Sequence, residues 1–242
     1  MAITITEKQT SDFRQGIQSG VSIAIGYFPI ALTYGLLAKT TGLTMAETVA
    51  MSIFVFAGAA QYVSLSLLTS GTGIFEIVLT TFILNIRHFL MSTALNEKST
   101  DDRLWKKAGY AFGVTDETFS VAATKDGTVS AGYMYGVISV SYSSWVVFSG
   151  LGYLFGASLP KTLQESMSVA LYAMFIGLLV PSMKGSMKVI YLAALAACFN
   201  SIFTISGMLK TGWAIVTATL LSAILVELVE YFKKGKEGYG HE

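Results

Sequence analysis

Asn85, Arg87 and His88 stand together inside an otherwise apolar stretch, and Thr115-Asp116-Glu117-Thr118 follows Gly113 in another. These are the residue types that can do chemistry. Arginine orients a carboxylate, paired acids take a cation or a proton, and histidine titrates near neutral pH. In water such groups are commonplace. At mid-depth in lipid an ionised side chain costs about 2.5–3.5 kcal/mol, so each needs a partner or a task.

Two readings of each group stand. Arg87 either snorkels to a nearby interface or pairs with an acid or a substrate carboxylate. At helical spacing it lies below Thr80 and towards Glu76, off the face shared by Thr81, Asn85, His88 and Ser92. That second face is expected to look into a helix bundle. His88 there is either a titrating group or a satisfied packing residue. The Thr115–Thr118 group is either plain capping or the start of a re-entrant half-helix. Such a half-helix offers free amides to anions and holds its acids at depth.

The elements that must position these groups are long apolar stretches, at residues 16–38, 48–69, 73–95, 132–156, 166–182, 188–208 and 211–231. A hydrocarbon core needs roughly 20 apolar residues per helix. The expected fold is therefore all-α: one polytopic transmembrane domain over residues 1–242, with about seven spans and one or two broken or re-entrant segments. The fifth stretch is short and ends at Pro181. Residues 108–123 are too short and too polar to span, and read as interfacial or re-entrant. Residues 16–38 are interrupted at Tyr27-Phe28-Pro29, which predicts a second discontinuous helix, with a simple proline kink as the plainer alternative.

Gly16/Gly20, Gly132/Gly136 and Gly152/Gly156 are spaced for close helix approach, and Ala193, Ala194, Ala196 and Ala197 predict another tightly packed face. Gln61 sits among small residues as a lone polar anchor, and Ser144 precedes Trp145 in a serine-rich stretch. The lone Cys198 reads as a small core residue.

Composition agrees. The chain is 53% hydrophobic and 13% charged, with mean hydropathy +0.60, against about 25% charge in soluble domains. No separate soluble domain fits. A net charge of +1 argues against a nucleic-acid partner. The first fifteen residues lack the layout of a cleavable signal. If residues 96–107 are cytoplasmic and 108–123 do not span, eleven Lys and Arg fall inside, with the C-terminus. Four then lie outside: Lys8, Arg14, Lys161 and Lys210. A hairpin at 16–38 would make the split thirteen to two, so the side of the N-terminus stays open.

Enzyme readings fare poorly. His-Glu-x-x-His and Gly-x-Ser-Gly are absent, and there is no phosphate-binding loop. No cofactor or metal is expected. A passive channel or a scaffold subunit is the alternative to a transporter, but no filter or acidic ring is recognisable.

FAGAAQYV at 56–63, NIRHFLMSTAL at 85–95, AFGVTDETFSV at 111–121 and SYSSWVVFSGLG at 141–152 resemble the azaleucine-resistance (AzlC-type) branched-chain amino acid permeases. GIQSGVSIAIGYFPIALTYGLLA at 16–38 is similar too. The resemblance implies a bacterial cytoplasmic-membrane exporter of branched-chain amino acids, with methionine sometimes carried, and a small hydrophobic AzlD-type partner subunit. Some members carry an acid at the Asn85 position, and the amide here argues against a proton there. The candidate substrate or coupling residues are Tyr27, Pro29, Phe56, Gln61, Tyr62, Asn85, Arg87, His88, Thr115, Asp116, Glu117, Ser144 and Trp145. Phe28, Phe56 and Tyr62 would suit a branched side chain, Arg87 a carboxylate, and Asp116 or Glu117 an ammonium. Proton coupling is expected through Asp116, Glu117 and His88.

Overall fold

The computed structural model describes residues 11–100 and 102–238. Its helices are α1 (Asp12–Thr40), α2 (Met45–Phe54), α3 (Gly58–Thr69), α4 (Ile74–Lys98), α5 (Leu104–Ala111), α6 (Asp116–Thr124), α7 (Ala131–Phe155), α8 (Lys161–Gly185), α9 (Met187–Ser206) and α10 (Thr211–Gly238). Among the described residues there is no sheet, only an isolated bridge between Ser99 and Val129. Among the described residues, five segments are long and apolar enough to cross a membrane: Asp12–Thr40, Ile74–Lys98, Ala131–Ser158, Met187–Ser206 and Gly212–Tyr231. Backbone contacts divide the chain into two units, the described residues of Met1–Gln61 with Asn85–Ala170, and those of Tyr62–Leu84 with Leu171–Glu242.

The first unit is built on α1 and α7, which lie parallel. Ser130, just before α7, donates to Asp12 at 2.6 Å, and Ser144 donates to the Ala24 carbonyl at 2.8 Å, so partners rise together along both helices. Glycine makes the contact possible. A Cβ on Gly16, Gly35, Gly136 or Gly152 would run into a backbone carbonyl of the other helix. With no hydrophobic force between helices in lipid, this close packing is what associates them.

The same pairing corrects the expectation of a break at Tyr27-Phe28-Pro29. Helix α1 runs through Pro29 without interruption. Proline removes one backbone donor, but packing on α7 fixes the helix on both sides of the gap, and Thr33 Oγ1 donates to the Pro29 carbonyl at 2.9 Å.

The break lies instead in residues 48–69, which are two helices rather than one span. α2 runs antiparallel to α7: Ser52 donates to Ser149 at 2.9 Å, and the Ile53 carbonyl accepts from Tyr142 at 2.9 Å. The chain leaves α2 at Val55, where the amide of Ala57 bonds the carbonyl of Val55 at 2.8 Å. It then reverses, and Gln61 in the first turn of α3 reaches back to Ser52 at 3.3 Å. Helices α5 and α6 form a second hairpin, entering from the opposite end of α7. Tyr135 donates to the Lys106 carbonyl at 3.0 Å, and Gly113 at the tip abuts Ile138. This agrees with the reading of 108–123 as a segment that does not cross.

The parallel pair also corrects the charge map. Arg14 lies at the end of the unit that holds Lys98, Arg103, Lys106, Lys107 and Lys125, while Lys39 and Lys161 lie at the other end. Counting 48–69 as a crossing puts Arg14 opposite Lys98, and that crossing is what the structure removes. At the basic end Asp102 accepts from Thr100 at 2.6 Å and from the Ala131 amide at 2.9 Å. These bonds, aided by Lys106 and Lys107, hold its carboxyl below the usual range.

In the second unit α9 packs on α10, and Lys188 bridges Glu227 and Glu230, each at 2.6 Å. Glu76 in the first turn of α4 accepts from the Trp213 amide at 2.9 Å, capping α10. Two expectations fail here. No described residue of α9 is buried, so its alanines form no tight face, and Cys198 is exposed rather than core. An apolar helix surface suits lipid as well as it suits a protein interior, which is why sequence could not separate them. Helix α8 continues past Pro181 to Gly185.

Candidate functional site

The two hairpin tips converge on Tyr142. Its ring lies 5.2 Å from Phe56 and 6.0 Å from Phe112, edge-on to both. Beside it is an open cavity of about 220 Å³, lined by Phe54, Val55, Phe56, Ala57, Asn85, His88, Ala111, Phe112 and Val114. Each hairpin contributes the end of one helix and the loop leading to the next. The walls are mostly apolar, and α4 supplies the polar side chains. His88 Nδ1 lies 3.2 Å from the Asn85 carbonyl on its own helix. Asn85 Oδ1 is shielded from solvent and has no hydrogen-bond partner within the protein. An unsatisfied buried acceptor costs about 1–3 kcal/mol, so this oxygen has bonding capacity to spare for a donor.

Next to the cavity, the start of α6 carries the charged cluster. Arg87 Nη2 meets Asp116 Oδ2 at 3.0 Å, with the two side chains 37% and 22% exposed. Tyr27 donates to Glu117 Oε2 at 2.6 Å and shares a 2.8 Å hydrogen bond with Thr115 Oγ1. Thr115 and Thr118 form a reciprocal capping box. Capping and ion pairing therefore coexist here, since the threonines cap and leave both acids to other helices.

A third cluster pins the α2–α3 hairpin. Gln61, fully buried, accepts from Trp145 Nε1 at 2.7 Å and donates to Ser52, whose partner Ser149 donates to the Trp145 carbonyl at 2.7 Å. Gly58 sits against the Trp145 ring.

Among the sequence-predicted residues, Phe56, Asn85 and His88 line the cavity. Tyr27, Arg87, Thr115, Asp116 and Glu117 form the cluster beside it. Gln61, Ser144 and Trp145 hold helices together, and Pro29 touches neither group. Phe28 is 45% exposed, edge-on to Phe148. Tyr62 is buried but belongs to the second unit. Sequence reasoning missed Phe54, Val55, Ala57, Ala111, Phe112, Val114 and Tyr142. The small-residue run Phe56-Ala57-Gly58-Ala59-Ala60 was the available signal for a tight reversal.

Five apolar helices of crossing length, with two helical hairpins meeting at a cavity, define a multi-pass membrane protein. Residues 22–159 match the AzlC protein family, more than half of the sequence, and the chain belongs to that family. It is 28% identical over 235 residues to the inner membrane protein YgaZ of Escherichia coli, covering 93% of this chain and 94% of that protein. An uncharacterized membrane protein of Archaeoglobus fulgidus is 31% identical over 175 residues, 72% of this chain and 77% of its own. The branched-chain amino acid transport protein AzlC of Bacillus subtilis is 26% identical over 167 residues, 68% and 65% respectively. No solved structure matches the chain.

Proposed function

We propose that this protein is a secondary transporter subunit that exports branched-chain amino acids across the bacterial cytoplasmic membrane, together with a small AzlD-type membrane subunit. The observation that carries the reading is the cavity at the meeting of the two hairpin tips, with Asn85 and His88 in its wall. Transporters place their substrate sites where interrupted helices meet at mid-depth. A cavity of about 220 Å³ is below the 300–1,000 Å³ of drug-sized sites and suits a small apolar molecule. Phe54, Val55, Phe56 and Phe112 offer the apolar contacts. The Asn85 Oδ1 acceptor suits the ammonium of a zwitterion, and the amides at the starts of α3 and α6 suit its carboxylate. Asp116, Glu117 and His88 are the titratable groups available for proton coupling. The relationship to a branched-chain amino acid transport protein supports the substrate class.

The proposed topology has α1, α4, α7, α8, α9 and α10 crossing, with the α2–α3 and α5–α6 hairpins entering from opposite faces. Both termini are then cytoplasmic. Twelve Lys and Arg fall inside against three outside (Lys39, Lys161 and Lys210), a larger bias than a seven-span arrangement gives.

The test is leucine efflux from loaded vesicles holding the protein, with and without the partner subunit. Saturable, stereoselective efflux is expected. Efflux that neither saturates nor distinguishes L- from D-leucine would make the protein a pore. Uphill efflux that survives collapse of the proton gradient would remove the proton.

A further inference from the structure

The two hairpins are secured in opposite ways. The α2–α3 hairpin is held from within by the closed network of Ser52, Gln61, Trp145 and Ser149, every member buried. A fully satisfied buried network of this kind rigidifies the elements it joins.

In the α5–α6 hairpin, α5 is bonded to α7 where Tyr135 donates to the Lys106 carbonyl at 3.0 Å, and α6 is tied at its two ends. At its base, Lys98 donates to the Ala123 carbonyl at 2.6 Å and to the Lys125 carbonyl, and Lys107 donates to Asn96 Oδ1 at 2.9 Å. The Thr100 and Val129 amides add backbone bonds at 3.0 Å. At the start of α6, Tyr27 bonds Glu117 and Thr115, and Arg87 pairs with Asp116. Between those ties α6 stands away from α1. A cleft of about 620 Å³ separates Gln18 and Ser19 of α1 from Val121 and Thr124 of α6. The hairpin thus has a fixed end, a releasable end, and space behind it.

We propose that α5–α6 is the moving gate of the cavity, hinged at its Lys98 end and latched at its tip by Tyr27, while the α2–α3 hairpin stays in place. Releasing the tip lets α6 move towards the cleft and joins it to the cavity, opening the site to the face that bears Lys98 and Lys125. Tyr27 is a positioning residue, acting through Glu117 and Thr115. The proposal rests on the reading of the cavity as a transport site, but hinge and latch are tested without any transported substrate.

The experiment places a single reporter, Ala57→Cys, in the cavity of a Cys198→Ala background. A membrane-impermeant thiol reagent is applied to vesicles of each orientation. Tyr27→Phe removes both latch bonds and keeps the ring. Labelling is expected to rise about tenfold from the basic face, as for loss of hydrogen bonds to partly buried acceptors, and to stay unchanged from the other. In a separate variant, Gly113→Cys with Ile138→Cys, oxidation is expected to suppress labelling from the basic face, and thiol reduction to restore it. An unchanged rate in Tyr27→Phe, an equal rise at both faces, or labelling indifferent to the cross-link overturns the gate. If labelling behaves as expected but leucine efflux is absent, the gate stands and the substrate reading falls.

Discussion

Arg87 of α4 and Asp116, the first residue of α6, meet with Nη2 and Oδ2 3.0 Å apart. The next residue, Glu117, turns instead to Tyr27 of α1. Two consecutive acids are thus shared between two helices, and the start of α6 is fixed between them.

Removing one half of that ion pair leaves the other charge without compensation in a partly buried site. Arg87→Ala is expected to lower leucine efflux at least tenfold and to reduce thermal stability in detergent. Arg87→Ala with Asp116→Asn should recover the stability, because the orphaned charge is gone. It should not recover efflux if the pair serves the transport cycle. Melting temperature and efflux rate on the same preparations check both halves. Normal efflux in Arg87→Lys would reduce the arginine to a snorkelling residue.

Asn85 lines the cavity, and its Oδ1, shielded from solvent, lacks a protein partner. Asn85→Leu replaces it with an apolar group of similar size. The variant should fold at least as well as the parent, since an unsatisfied acceptor is removed. Its KM for leucine efflux should rise about tenfold, the equivalent of one well-made hydrogen bond. An unchanged KM would take substrate out of contact with Asn85.

The sequence made the apolar helices, the Arg87-His88 pair and the α6 acids legible, because charges in an apolar run stand out on any scale. It misplaced the discontinuity. Pro29 is a strong local signal, yet its effect depends on what packs beside it, and the Gly16, Gly35 and Gly152 contacts hold α1 against α7 on both sides of it as one continuous helix. Residues 48–69 carry no proline and enough hydrophobicity to span. What reverses them is a set of long-range bonds from Gln61 and Ser52 to Trp145 and Ser149, partners some 84 and 97 residues away that no local window sees. Tyr142 was overlooked for the same reason, since its importance lies in touching both tips.

The Gln61 network makes a stability prediction. Gln61→Leu leaves the buried Trp145 indole N–H without its 2.7 Å acceptor. An orphaned buried donor costs about 1–3 kcal/mol. A fall of several degrees in melting temperature is expected by scanning fluorimetry. Gln61→Glu should fall further, because it also buries a charge.

Asp102 gives a pH signature outside the membrane. Its folded pKa is depressed by the Thr100 and Ala131 bonds, so its contribution to stability is present above the ordinary carboxyl pKa, near 3.9. That contribution is lost as pH falls through the lower folded value. Asp102→Asn keeps an acceptor for the Ala131 amide but cannot ionise. The parent should therefore melt above the variant at neutral pH, and the two should converge as pH falls through that lowered value. A gap that persists in acid would assign the effect to packing.

Glycines on one helix should respond oppositely to the same substitution. A Cβ on Gly35 would strike the Ser149 carbonyl and the backbone of Tyr153, whereas a Cβ on Gly26 meets nothing within 4 Å. Gly35→Ala must push α1 and α7 apart where they are closest, and is expected to lower the yield of folded protein severely. Gly26→Ala adds a methyl group to open surface and removes the conformational freedom of a mid-helix glycine, worth about 1 kcal/mol of helix propensity. It should match or exceed the parent in melting temperature. Size-exclusion recovery and melting curves of the two variants, prepared side by side, decide the matter. Equal behaviour would mean that α1 and α7 are not held at glycine contact, and with that the frame that aims Tyr27 at α6 would be lost.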